Sequence, residues 1–431
     1  MPSTCPSSAC SSIVCSRWGH QTPARVGQPR NRPRLWQMIH PPAAATWAWV
    51  IWKGDHMPPL KHTPYYHKFL ELGAELSDRP GFIVAQWFTS IEEEHKATRE
   101  AAGLYDVYSQ GPIDVKGKDA HALLNRLVVN DLDRLSDNQV IYTSFCNEQG
   151  GMLDDLTCYR FSPEHYWVIA TPSRVATIEQ RITEHARGLC AHVTNTIPGT
   201  AYLSVQGPKS REILSGITDA DLSTAALPYY HLVSTTVAEV PVILSRTGYS
   251  GELGYELYYS RDYGEYMWDA LMAAGADYGL KPAGLGALIT TRVEKKYPLF
   301  GLDISEGNTP VEAGLGWTVR LDKKSDYSGR AVIQRQKEEG VTRRLVGFEL
   351  PDLSYVPARD DTIWFDGREV GKVTSAGRGL TLGKALALGY VAIDVAKAGT
   401  TVTLRSAAGE DYPAIIHTKA FYDPDLQRIR A

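Results

Sequence analysis

Apolar and polar residues alternate along the chain with two periods, near 3.6 and near 2, and the switches between them mark out its elements. Ser90 with Glu93 three positions on is a capping pair, which predicts a helix to about residue 102 stopped by Gly103. Residues 104–107 and 113–115 read as paired strands. Ala120, Leu123, Leu124 and Leu127 share one face of a helix over 118–127. A strand over 140–145 follows, then the turn Asn147-Glu148-Gln149-Gly150-Gly151 and a second strand carrying Asp154 and Asp155, the pattern of a tight hairpin. Strands at 166–170 and 201–205, a strand pair around 233–244 and a strand at 255–259 alternate with helices at 176–186, 210–214 and 263–274. Helices and strands mix without a regular βαβ repeat, which predicts an α+β class.

The pattern changes character after a strongly charged helix at 330–339. Short β runs then recur at 345–350, 362–365, 369–375, 385–391 and 401–404, the spacing of a small barrel or sandwich. The expected boundary falls near residue 338, giving segments 57–338 and 339–431. Residues 1–56 are rich in Ser, Pro and Arg, poor in acids, and show no sustained period. They read as a disordered or non-native extension ahead of Met57, with an organelle transit peptide as the alternative.

Composition narrows the function classes. The chain has 431 residues, 43% hydrophobic and 22% charged, enough for two or three domains with their own cores. A formal net charge of -4 with no basic stripe points away from nucleic acid. No apolar run approaches the ~20 residues of a membrane helix. The six cysteines, Cys5, Cys10, Cys15, Cys146, Cys158 and Cys190, form neither a C-x-x-C pair nor a zinc spacing, which fits a reducing, cytoplasmic setting and no metal. Gly248-Tyr249-Ser250-Gly251 lacks the Gly-x-Ser-x-Gly spacing of a nucleophile elbow, so a hydrolase is disfavoured. Polar groups gather at element ends around the hairpin: Asp131, Tyr142, Asn147, Asp154 and Asp155. A few polar groups on an apolar scaffold suit a small-molecule site, and solvated turn residues are the plainer alternative.

The segments LVVND and CNEQGGMLDDL, followed in order by SVQGPKS, TGYSGELGYEL, TPVEAGLGWTV, DYSGR, LVGFEL and GKVTSAG, resemble the aminomethyltransferase family. That family includes the T-protein of the glycine cleavage system and tetrahydrofolate-dependent demethylases. The likeness runs from about residue 63 to 422. It implies a folate-binding region of two α+β subdomains followed by a C-terminal β-barrel, with tetrahydrofolate as cofactor. It also implies that Asp131 is the catalytic carboxylate beside the reactive folate nitrogen, and that Asn147 and Glu256, with Tyr142 and Arg292, hold the cofactor. A carboxylate suits a pterin edge because two adjacent N–H donors match its two oxygens.

Two departures bear on the donor. T-proteins carry an arginine where this chain has Leu288 in GLGALITTRVE, leaving Arg292 alone in that segment. The family's FDVSHM strand is altered to Tyr105-Asp106-Val107-Tyr108-Ser109-Gln110, which marks Tyr108 and Gln110 as a different substrate pocket. Both lean the expectation towards a demethylase taking a methyl or aminomethyl group from a small molecule. The alternatives are a T-protein acting on a lipoyl carrier protein and a non-catalytic folate-binding assembly factor.

Overall fold

Alternate residues of a strand face opposite ways, and in this chain that rule decides which side chains meet. In a computed structural model, which describes residues 60–431 apart from Pro80, Tyr108 and Ser109, the strand Gly254–Ser260 lies inside a six-stranded sheet. It pairs antiparallel with Val240–Ser245 and with Thr200–Gln206. Leu232–Val237 forms one edge of the sheet, and Ala102–Tyr105 followed by the parallel Leu280–Ala283 forms the other. Tyr255, Leu257 and Tyr259 enter a core with Leu203, Val205, Leu244, Trp268 and Leu271. Glu256 and Tyr258, one residue out of phase, face the other way.

A five-stranded sheet runs in the order Gln139–Cys146, Met152–Ser162, His165–Ile169, Ile113–Lys116, His192–Asn195. One face packs Val115, Phe145, Leu156, Cys158 and Val168 under the helices Ala120–Asn125 and Val175–His185. Ile178 and Ile182, four residues apart and so on one helix face, are fully buried there. Each such side chain contributes about 1.5–3 kcal/mol by leaving water. From the opposite face, Val140, Tyr159 and Ile169 meet Tyr202, Leu232 and Tyr258 of the six-stranded sheet. Backbone bonds also cross between the sheets: Val140 N–H donates to Tyr230 O at 2.8 Å, and Leu232 N–H donates to Asn138 O at 3.0 Å.

The last fifth of the chain is a closed barrel in the order Arg343–Glu349, Lys384–Ala392, Arg368–Gly379, Thr362–Phe365, Thr401–Arg405, Asp411–His417. Closure leaves no open edge to pair with another chain. The helix Leu285–Glu294 packs on its strand Arg368–Gly379.

The α+β class and the barrel agree with the sequence pattern. Two local expectations need correcting. Residues 104–107 and 113–115 do not pair with each other: Ala102–Tyr105 joins the six-stranded sheet and Ile113–Lys116 the five-stranded one. The chain crosses between sheets in the few residues separating them. Gly103 is not a helix stop either; the helix ends at Glu100, and position 103 lies in a strand where a Cβ would meet Thr98 Oγ1 at 2.5 Å. The readings of residues 1–56 and of Tyr108 lie outside the described residues.

Candidate functional site

Glu256 interrupts an otherwise aromatic strand, and its carboxylate sits 9% exposed between the two sheets. Its sheet neighbours in register are Ser204 and Ser245, so a polar row crosses three apolar strands. Tyr202 donates to its Oε1 at 2.8 Å, while Thr247 and Tyr159 donate to Oε2 at 2.5 and 3.1 Å. Tyr258 adds a fourth hydroxyl at 3.3 Å. Among the described residues no cation pairs with it. Four neutral hydroxyls offset part of its desolvation, and each can rotate to accept a proton donor brought by a ligand.

The facing sheet contributes a second carboxylate. In the hairpin, Ser144 opposes Asp155 and Phe145 opposes Asp154, which sends the two aspartates to opposite faces. Asp154 points into the apolar core, fully buried, accepting Thr171 N–H at 2.8 Å with Oδ1 unpaired. Burial pushes its pKa well up. Asp155 faces the six-stranded sheet and accepts the Tyr142 hydroxyl at 2.7 Å, a diagonal cross-strand contact. Burial pushes Asp155 up to about 6, with the Asp303 charge adding to the shift. Tyr142 is held well above the usual phenol range by burial and then by Asp155.

Several of these groups are deep in the protein yet partly accessible: Tyr142, Asp155, Tyr229, Tyr230, Tyr249 and Tyr297. Side chains of that kind line an internal chamber. Tyr249 stacks on Tyr297 with centroids 5.6 Å apart and donates to Pro298 O at 2.5 Å. At one end the Tyr142 ring lies on Trp317, centroids 5.9 Å apart, and Trp317 is 60% exposed.

Asp131 caps the short helical turn Leu132–Arg134. Its Oδ1 accepts Asp133 N–H at 3.1 Å and Asn125 Nδ2 at 3.4 Å, while Oδ2 has Arg134 Nε at 3.8 Å. The turn is held by Asn130, which donates to Tyr142 O at 3.0 Å, and by Lys323. The Lys323 ammonium is 4% exposed and donates to the carbonyls of Asn125, Val128 and Asn130 at 2.6, 2.8 and 2.7 Å. Burial lowers its pKa to about 8, with the Asp131 charge acting in the opposite direction.

The structure therefore brings Tyr142 and Glu256 to the chamber and sets Asp131 on the turn beside Tyr142. Two other expected cofactor residues are occupied elsewhere. Asn147 Oδ1 accepts Gly151 and Gln149 N–H at 2.9 and 3.0 Å, and its amide donates to Glu306 O at 3.2 Å, which makes it the brace of the hairpin turn. Arg292, 1% exposed, pairs with Asp303 at 2.7 Å and reaches Ser375 of the barrel at 3.2 Å. It ties the helix Leu285–Glu294 to the barrel, and its Nε is left without a partner. Gln110 N–H donates to Val107 O at 3.0 Å. Leu288 packs with Tyr105, Ala287 and Tyr249.

Sequence reasoning missed Tyr159, Tyr202, Tyr249 and Thr247. The only local signal for them was the polar row Ser204, Ser245, Glu256 inside apolar strands. The residues fit a reduced pterin: a carboxylate partnered only by rotatable hydroxyls can accept adjacent N–H donors, and the tyrosine faces offer stacking.

A mixed α+β region with a buried carboxylate and tyrosines between facing sheets, followed by a closed β-barrel, suits a protein that binds a flat, donor-bearing heterocycle. The comparisons make this specific. Residues 65–323 match the model of the GCVT N-terminal domain, and residues 343–423 match that of the glycine cleavage T-protein C-terminal barrel domain. The chain is 37% identical to an aminomethyltransferase of Caldanaerobacter subterraneus, over 87% of this chain and 99% of that one. It is 40% identical to one of Halothermothrix orenii over 81% and 98%, and 38% identical to one of Bacillus subtilis over 80% and 94%. The crystal structure of the glycine cleavage system aminomethyltransferase T from Bartonella henselae superposes with a TM-score of 0.77 at 25% identity, covering 85% of this chain and 99% of that one. The chain belongs to the aminomethyltransferase family, and it is a tetrahydrofolate-dependent one-carbon transferase. No helix among the described residues is long and apolar enough to cross a membrane.

Proposed function

We propose that this enzyme performs the glycine-cleavage type of transfer, moving the one-carbon unit of an aminomethyl group on a lipoyl carrier protein to tetrahydrofolate. The observation that carries the donor assignment is the end-to-end likeness to aminomethyltransferases, spanning 99% of the Caldanaerobacter relative. It outweighs the leaning towards a demethylase drawn from Leu288 and the altered 105–110 strand.

Bound in the chamber, tetrahydrofolate supplies two nucleophilic nitrogens. Glu256 fixes the donor edge of the ring, and orientation of this kind is worth several kcal/mol in a transfer between two bound molecules. Asp131 stabilises positive charge on the attacking nitrogen and passes its proton towards the departing amine. Both roles draw support from where the structure sets these carboxylates.

The test offers the purified enzyme tetrahydrofolate with either an aminomethylated lipoyl carrier or a panel of methylated amines, ethers and thioethers. Methylene-tetrahydrofolate from the carrier alone is the expected result. Methyl-tetrahydrofolate from a small donor would return the demethylase reading. Folate binding without turnover from any donor would favour the assembly factor.

A further inference from the structure

Asp155 is the one carboxylate of the chamber wall to which neither the sequence nor the transfer just described gives a task. Its geometry is specific: one oxygen accepts a tyrosine hydroxyl at 2.7 Å, and that tyrosine's ring lies against the exposed Trp317. We propose that Asp155 is a positioning residue for proton transfer, acting through the Tyr142 hydroxyl as a second proton acceptor separate from Asp131. The proposal rests on the transferase reading above and names how that site handles its protons.

Proton counting motivates it. Placing a methylene bridge across two nitrogens breaks two N–H bonds. The departing amine and the carrier sulfur each gain one proton, so nothing is released overall. Asp131 serves one of these exchanges, and its Oδ1 is already committed to two donors. For the other, Tyr142 takes an N–H proton as it passes its own hydroxyl proton to Asp155. Asp155 then returns that proton through the same hydroxyl to the thiolate. One N–H bond is broken and one S–H bond is formed, with a carboxyl O–H in between.

The surroundings suit this task. Asp155 faces Tyr142 from the adjacent strand, Tyr249 from the segment before Gly254–Ser260, and Asp303 with its Arg292 partner from the segment after Leu285–Glu294. Asp154 on its own strand, with Arg174 beyond, completes the set of charges. Burial and the like charge of Asp303 lift Asp155 to about 6. A base is most effective when its pKa lies near the working pH. Tyr142, held well above the phenol range, stays neutral and conducts the proton without ionising.

The experiment compares the full chain with Asp155→Asn and Tyr142→Phe. Tetrahydrofolate binding is followed by calorimetry in two buffers of different ionisation enthalpy, and single-turnover rates are followed from pH 5 to 8. The wild type should lose rate below about pH 6 and should exchange protons with buffer when folate binds near that pH. Asp155→Asn should bind folate within roughly threefold of wild type, and both variants, measured at saturating folate, should lose about 100-fold in rate, the range for a proton-transfer group. Asp155→Asn should also flatten the acid limb and cancel the proton exchange. A variant rate within threefold of wild type, or an acid limb that survives Asp155→Asn, overturns the proposal. So does a rate loss explained wholly by weaker folate binding, which would make the pair a brace. Wild-type protein that binds no folate sinks the transferase reading itself, an outcome separable from the others.

Discussion

Asp131→Asn separates chemistry from structure, because the contacts of Asp131 divide cleanly between its two oxygens. Oδ1 carries the cap, accepting Asp133 N–H and Asn125 Nδ2, and asparagine keeps that oxygen. What the substitution removes is charge at Oδ2, which lies 3.8 Å from Arg134 Nε and favours the buried Lys323 ammonium; Lys323 keeps its three carbonyl acceptors in the variant. Arg134 is 48% exposed and also pairs with Asp322, so this contact is worth at most about 0.5 kcal/mol. The melting temperature should therefore move by only about 1 °C in a protein of this size. Turnover should fall by roughly 10²–10⁴, or about 3–5.5 kcal/mol of transition-state stabilisation. Asp131→Ala is the companion: it removes the cap as well and should cost a further ~0.5–2 kcal/mol of stability at a similar rate loss. Single-turnover rates and melting curves on both variants decide the matter. An asparagine variant with near-normal rate would refute the catalytic assignment and leave Asp131 as a cap.

Three further outcomes follow from described contacts. Glu256→Gln keeps shape but turns an amide towards the pterin donors, and calorimetry should show tetrahydrofolate binding about 30-fold weaker, roughly 2 kcal/mol; equal affinity would remove Glu256 from the site. His95, buried between the Thr290 and Thr381 hydroxyls, has its pKa lowered to about 3 by burial and then by Arg99. The unfolded chain therefore binds this proton more readily, and stability should be lost as pH falls from about 6.5 towards about 3; denaturant melts of His95→Gln at pH 7 and 5 should lack that slope. Gly151→Ala would drive a Cβ to 1.7 Å from the Glu306 carbonyl; the turn must open, and a loss of over about 2 kcal/mol in denaturant melts is expected, whereas an unchanged midpoint would refute the packing argument.

How far the sequence could be read depends on the distance between the partners. The strands bearing Glu256 and Asp155 are visible as period-two runs, and Asp131 and Glu256 as positions in ordered family segments. The contacts of Arg292 with Asp303 and Ser375 were not legible, because those partners lie 11 and 83 residues away and no local pattern records them. Asn147 was legible by another route. An asparagine ahead of Gly150-Gly151 is a turn-brace residue, since its side chain can replace a backbone acceptor. The hydroxyls around Glu256 come from three strands and one loop in two sheets, so only the assembled fold reveals them. The split of Asp154 from Asp155 was implicit in strand alternation, but choosing the inner face required the register Ser144 to Asp155.

The backbone bonds from Val140 to Tyr230 and from Leu232 to Asn138 limit how the enzyme can breathe. They stitch the two sheets along the wall of the chamber, and Tyr230 holds a left-handed φ of 63° to make the stitch. Two halves joined in this way cannot swing apart like a clamshell without breaking main-chain pairing. Entry of a ligand between the sheets is thereby left to rotation of partly exposed side chains such as Trp317 and Tyr142. Amide exchange at Val140 and Leu232 should accordingly be as slow as in the sheet centres, and exchange of bound folate should not require it to rise.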